Sequence, residues 1–262
     1  MILALLLAAA PVFDWKPISP GAEYRTFVFE PKSESSGVVH VVRIDLGKAQ
    51  LAFGLRSKAG GEARTTAQWA KEQRLSVAIN AGMFATDHSS NVGRLVDGDH
   101  VNQAAFNHYQ SVLVFGPKKP GLPRAQLVDL DEPGAKELIA QYGSAAQNLR
   151  LIKSPGLNQW KKNDRAWSEA AIAEDKQGRL LFLFSREGHE MAKWNEWVLA
   201  LPLQVVKAMH VEGGPEASLS VHGGGVDLDL AGSYETGFNP NEKNQDQWDL
   251  PNVVGVREAP QR

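Results

Sequence analysis

The sequence predicts an α+β fold: a single domain with a mixed β-sheet and hairpins, flanked by about four helices. Three observations predict it. Short apolar, β-branched runs recur along the chain, several of them paired about turn signals. A few stretches instead carry helical spacing with start and stop residues. No repeat, low-complexity tract or long linker divides the chain, so the domain is expected over residues 11–262, with its core at about 38–256.

The elements follow in order. Val38–Leu46 and Ala49–Leu55 flank Gly47-Lys48 and read as a hairpin. Thr65-x-x-Gln68 is a capping-box pattern, so a helix is expected over Thr66–Gln73. Leu75–Asn80 (LSVAIN) then reads as a buried strand, and Ser111–Phe115 as another. Pro133–Tyr142 reads as a helix closed by Gly143. Asn148–Lys153 is an expected strand. Trp167–Glu174 and Arg179–Ser185 form a second expected hairpin. Met191, Trp194, Val198 and Leu201 share one helical face, ended by Pro202. Val205–Val211 is a strand, Ser218–Val221 and Val226–Leu230 pair about His222-Gly-Gly-Gly225, and Asn252–Val256 closes the domain.

Composition narrows the function. With 28 Lys+Arg against 30 Asp+Glu among 262 residues, the chain has no basic footprint for a nucleic-acid backbone, so no nucleic-acid partner is expected. The absence of cysteine excludes disulfides, zinc–cysteine sites and thiol nucleophiles. Met1–Ala10 (MILALLLAAA) has the apolar run and small-residue end of a secretory signal peptide, too short to span a bilayer. Export to the periplasm or medium is expected, with no stable membrane span.

Several familiar motifs fail. His189-Glu190-x-x-Lys193 lacks the second imidazole of a zinc motif, and His210-x-Glu212 lacks the cysteines of a deaminase. Gly223-Gly224-Gly225 opens no helix, and neither GxSxG nor GxxxxGK[ST] occurs.

Three segments survive, each joining a strand end to small and polar residues. In Asn80-Ala81-Gly82-Met83-Phe84 a strand delivers an amide that can donate and accept, while Gly82 permits the turn. The same pattern suits a turn-capping Asn. In Asn163–Glu169 an arginine, Arg165, stands where a strand begins, able to fork two hydrogen bonds to a phosphate or to pair with a surface carboxylate. Trp167 and Glu169 fall on its face, Glu169 farther along the strand. In Met209–Leu219 an apolar strand ends in Glu212-Gly213-Gly214-Pro215. Such a carboxylate can serve as acid, base or nucleophile, and the glycine N–H groups can receive an anion.

In this order the three segments resemble the phosphodiester glycosidase family. Asn80–Phe84 matches its NGGFF or NAGMF segment. Arg165 with Ala170-Ala171-Ile172 matches its central arginine strand, Val211–Ser218 its LDGGGSST loop, and Ala146–Leu149 the stretch before the arginine. The resemblance runs from about Val38 to Val256. Glu212 stands in place of Asp, Pro215 in place of Gly, and Glu216-Ala217 in place of Ser-Ser.

The resemblance implies hydrolysis of a sugar-1-phosphodiester in an exported glycan or glycoconjugate, as in exopolysaccharide metabolism. Arg165 is then expected on the phosphate, Asn80 on the sugar or a phosphate oxygen, and Glu212 as base or nucleophile. Gly82, Gly213, Gly214, Ser218, His88 and Gln147 are expected to line the substrate, with His210 a lesser candidate. No cofactor is expected. No spacing demands a metal, although a divalent ion beside Glu212 stays open, as does the oligomeric state. The departures also suit a non-catalytic glycan-binding, envelope or polysaccharide-assembly protein on the same fold.

Overall fold

The computed structural model describes residues 14–28 and 37–258. The expected signal peptide lies outside the described residues. The first part of the chain forms β1 (Lys16–Ser19), β2 (Ala22–Val28), β3 (Val38–Ile44), β4 (Ala49–Leu55), α1 (Arg56–Ala59), α2 (Thr66–Gln73) and β5 (Val77–Asn80). Next come β6 (Leu95–Asp97), β7 (His100–Gln103), β8 (Ser111–Pro117), β9 (Ala125–Asp129), α3 (Ala135–Ile139), β10 (Tyr142–Asn148), β11 (Arg150–Lys153) and β12 (Leu157–Asn158). The last part forms β13 (Ala166–Asp175), β14 (Leu180–Glu190), α4 (Met191–Ala200), β15 (Val205–Gly213), β16 (Ser218–Gly223), β17 (Val226–Ala231) and β18 (Asn252–Glu258).

The architecture is more heavily β than expected, and it has three sheets rather than one. An eight-stranded sheet runs β1-β2-β3-β14-β13-β15-β11-β12, and two five-stranded sheets run β7-β6-β10-β8-β9 and β17-β16-β5-β18-β4. Every pairing within them is antiparallel, which corrects the mixed sheet. Helix α4 does link two strands of like direction, β14 and β15, but β13 lies between them and pairs antiparallel with both.

The first expected hairpin is also corrected. Strand β3 pairs with β2 and β14, whereas β4 pairs with β18 in another sheet. The turn at Gly47-Lys48 thus carries the chain between sheets, anchored by the Ala49 N–H on Asp45 O and the Asp45 N–H on Gly21 O. Helix α2 forms over the expected residues with both arms of its capping box. The Gln68 N–H donates to Thr65 Oγ1, and the Thr65 N–H donates to Gln68 Oε1. Helix α3 is shorter than expected, because Tyr142 and Gly143 already belong to β10. Helix α4 ends at Ala200, and Leu201 is extended (ψ 152°) ahead of Pro202, as the proline ring requires.

The main core lies where the three sheets face one another. It joins Val42, Ile172 and Phe182 of the large sheet to Phe53, Ile79 and Leu219 of one small sheet and Leu113, Phe115 and Leu127 of the other. Alternation along each strand sends its other residues to the opposite face. On the far face of the large sheet, Ala171, Leu181 and Leu183 pack under Met191, Trp194 and Val198 of α4. Burying side chains of this size contributes about 1.5–3 kcal/mol each. That same face continues beyond α4, where Glu169 and His210 replace the apolar residues, whereas Glu212, opposite Ala170, falls on the main-core side.

Candidate active site

The site forms where β13 begins and β15 ends. Strand β15 pairs with β13 so that Ala170 stands opposite Glu212 and Ala171 opposite His210, with a register shift between these pairs. After Gly213 the chain turns through a short 3-10 segment, Gly214–Glu216, before β16. Gly214 has φ +63°, and a Cβ there would meet Glu235 Oε2 at 2.5 Å. A Cβ on Gly213 would meet Trp167 Cδ1 at 2.7 Å. Both glycines therefore admit close neighbours that a side chain would expel.

The segment after β17 brings in Glu235. Its backbone is stitched to β13, with the Ser168 N–H on Tyr234 O and the Thr236 N–H on Ala166 O. The Ser168 hydroxyl oxygen accepts from the Ser233 and Tyr234 N–H groups. Glu235 then lies 3.9 Å from Arg165, whose side chain is 67% exposed at the rim.

Glu212 is buried, and Oε1 accepts from the Gly213 N–H at 3.1 Å. Loss of solvent pushes its carboxyl well above the usual range, and the neighbouring Glu216, Glu235 and Glu169 push it further. Burial also raises Glu216, assisted by Glu235 and opposed by His88. Glu235 is raised by burial and held back by Arg165 and His210. The Tyr109 phenol is raised first by burial and then by Glu212, which places it near that carboxyl. The result is a gradient: burial raises all three carboxyls, Glu212 well above the usual range, while Arg165 opposes the rise of Glu235 at the rim.

The sequence-selected residues fall into two groups. Arg165, Glu212, Gly213 and Gly214 form one group about Glu235. Exposed His88 stands at its edge, close enough to Glu216 to ease that group's charge, with its ring 5.4 Å from Phe84. The others form the scaffold. Asn80 is buried at the end of β5, its Nδ2 donating to Glu216 O at 2.9 Å and its Oδ1 accepting from the Ser218 N–H at 2.8 Å. The amide thus clamps the turn that carries Glu212. The Ser218 hydroxyl is bonded to Thr66 Oγ1. A Cβ on Gly82 would meet Asn91 Oδ1 at 2.9 Å and Asn148 Nδ2 at 3.2 Å, and that Asn148 amide donates to Val211 O. Gln147 is fully buried. Its Oε1 accepts from the Arg94 and Asn107 N–H groups, and its Nε2 donates to Asn107 O and Tyr109 O, so it holds the segment that presents Tyr109.

Sequence reasoning missed Glu235 and Tyr109. Both lie in segments without strand or helix periodicity, joined to the site only through long-range pairing. Among the described residues, no group of three His, Asp or Glu side chains is placed to hold a metal ion, and no helix is long and apolar enough to cross a membrane.

A model of the phosphodiester glycosidase family matches residues 73–257, and the chain belongs to that family. Among solved structures, it is similar to the catalytic domain of zebrafish N-acetylglucosamine-1-phosphodiester alpha-N-acetylglucosaminidase, auto-inhibited by pro-peptide. That match has a TM-score of 0.67 at 15% identity, over 92% of this chain and 85% of the other. It is also similar to a hypothetical protein from Synechocystis, with a TM-score of 0.58 at 14% identity, over 92% of this chain and 63% of that one. No curated protein matches the sequence.

Proposed function

We propose that the protein hydrolyses a sugar-1-phosphodiester, releasing a reducing sugar and a phosphate monoester, and that its substrate is an exported glycan or glycoconjugate. Family membership supports the reaction class. The observation that carries the assignment to this site is the seating of Glu235, held beside Arg165, against Gly214, two residues after the buried Glu212.

The chemistry follows from charge. Water attacks the anomeric carbon, the bond from that carbon to the ester oxygen breaks, and positive charge grows on the sugar ring. Carboxylates at Glu235 and Glu216 suit that cation. Arg165 at the rim suits the phosphate, which carries the negative charge that grows on departure. Glu212 gives its proton to the departing oxygen, and Glu235 takes one from the attacking water. The acid role is assigned to Glu212, where the sequence suggested base or nucleophile, because burial raises its carboxyl.

The reaction is tested by incubating the protein with N-acetylglucosamine-1-phosphodiesters and related aryl phosphodiesters while following reducing-sugar release. Glu212→Gln should lower kcat about 100- to 10,000-fold, the range for lost acid–base help. Glycan binding without turnover across the panel would instead make this a binding protein. Export rests on residues 1–10. Cell fractionation should find the protein outside the cytoplasm, and cytoplasmic retention of the full chain would refute that part.

A further inference from the structure

Exposed aromatic surface lies on the segment that presents Glu235. Of the Phe, Tyr and Trp side chains among the described residues, only Phe238 and Trp248 are exposed, at 57% and 39%. Both belong to the stretch between β17 and β18. Their rings meet edge to face, with 6.2 Å between centroids and 76° between planes. Large rings gain most from leaving water, so two of them exposed and in contact mark a surface that a ligand covers.

Backbone and side-chain bonds tie this pair to Glu235. The Glu235 carbonyl accepts from the Phe238 N–H at 3.2 Å and the Asn239 N–H at 2.9 Å, and the Glu235 N–H donates to Asn239 O at 3.0 Å. Gly237, with φ +85°, makes the reversal. A turn closed in this way keeps the Phe238 Cα within about 7 Å of the Glu235 Cα. The Trp248 indole N–H donates to Asn244 Oδ1 at 3.2 Å. Asn244 is itself anchored, its Nδ2 donating to Gly232 O at 2.7 Å and its carbonyl accepting from Arg186. Asn239 Nδ2 donates to Ser233 O at 2.6 Å, which joins the turn to the same anchor. The two rings are therefore held in advance relative to Glu235, and through it to Arg165 at 3.9 Å, so binding orders little.

We propose that Phe238 and Trp248 form a saccharide platform that seats a sugar ring flanking the scissile phosphodiester, so that the substrate is an oligosaccharide or longer glycan and not an isolated sugar ester. The proposal rests on the hydrolytic reading above. A pyranose carries C–H groups on its faces and hydroxyls around its rim. Its C–H face covers an aromatic ring, whose negative π-face attracts it, while the hydroxyls stay in water. The neighbours favour a sugar over a protein partner. Other exposed residues of the segment include Glu242, Lys243, Gln245, Asp246 and Asp249, too polar for the apolar centre of a protein interface. A small apolar face ringed by polar groups and fixed to a reacting carboxylate matches a sugar of the substrate.

The test compares an aryl ester of N-acetylglucosamine 1-phosphate with the same phosphodiester extended by a neutral trisaccharide on its sugar side or on its phosphate side. Phe238→Ala and Trp248→Ala should each raise KM about 5- to 20-fold for at least one extended ester, with kcat and both constants for the aryl ester within about twofold. Trp248→Phe keeps an aromatic face and should retain most of the wild-type affinity. Titrating the wild type with the extended esters should change its tryptophan fluorescence, and Trp248→Phe should lose that change. Wild-type KM for both extended esters in the alanine variants would overturn the platform, as would equal weakening of the aryl ester. If an alanine variant fails to fold, absence of the Trp248 signal in the wild type overturns it instead. An active wild type whose variants handle every ester alike defeats the platform alone. A wild type that turns over no ester yet shows the Trp248 signal keeps the platform and defeats the hydrolytic reading beneath it.

Discussion

Asn80 separates a clamp from a substrate contact. Asn80→Ala removes two hydrogen bonds, at 2.9 Å to Glu216 O and 2.8 Å to the Ser218 N–H. Each such bond contributes about 1 kcal/mol net, and leaving a buried partner unpaired costs about 1–3 kcal/mol. The Ser218 N–H is enclosed, so the combined loss is about 3 kcal/mol. For a chain of this length that lowers Tm by about 6–12 °C. Denaturant midpoint and thermal melting measure the loss directly. Because the clamp holds the turn below Glu212, kcat should fall with stability while KM for short substrates changes little. Asn80→Asp should destabilise too, since it keeps the acceptor for Ser218 but turns an oxygen toward the Glu216 carbonyl. An Asn80→Ala protein that melts like the wild type but binds substrate weakly would refute the clamp and restore the amide to the substrate.

Two further outcomes follow from the charge gradient. Glu212 holds its proton more tightly folded than unfolded, so stability falls as pH rises from the ordinary carboxyl range toward the folded value, where the unfolded chain has already released that proton. Glu212→Gln removes this loss. Its Tm advantage over the wild type should therefore be larger at pH 8 than at pH 5, and a constant difference would show that Glu212 titrates normally. Arg165→Ala should raise KM for a sugar-1-phosphodiester about 10- to 100-fold, the value of a lost charged hydrogen bond, yet leave binding of the free neutral sugar unchanged. Equal weakening of both ligands would place Arg165 on the sugar.

Local chemistry was the legible part of the fold. The capping box at Thr65 and Gln68, the hairpin from β13 to β14 and the helical face of Met191, Trp194 and Val198 each depend on neighbours close in sequence. The sheet partners of β3 and β4 were not legible, because a short turn can close a hairpin or carry the chain between sheets, and the choice is made by distant strands. The site divides the same way. Gly213 and Gly214 announced a tight approach, but what approaches them, Trp167 and Glu235, comes from other segments. Asn80 and Gln147 were conspicuous polar residues in apolar surroundings. Their amides prove to be engaged by backbone groups, the usual way a buried amide is satisfied. The Glu169–His210 contact spans two strands, so neither residue alone signalled the pair.

Turnover in water enriched in oxygen-18 separates cleavage at the sugar from cleavage at phosphorus most directly. Attack at the anomeric carbon places the label on the released sugar and none on the phosphate monoester, and Glu212→Gln should slow its appearance. Label found on the phosphate would mean that the phosphorus–oxygen bond breaks, and would contradict a glycosidase at this site.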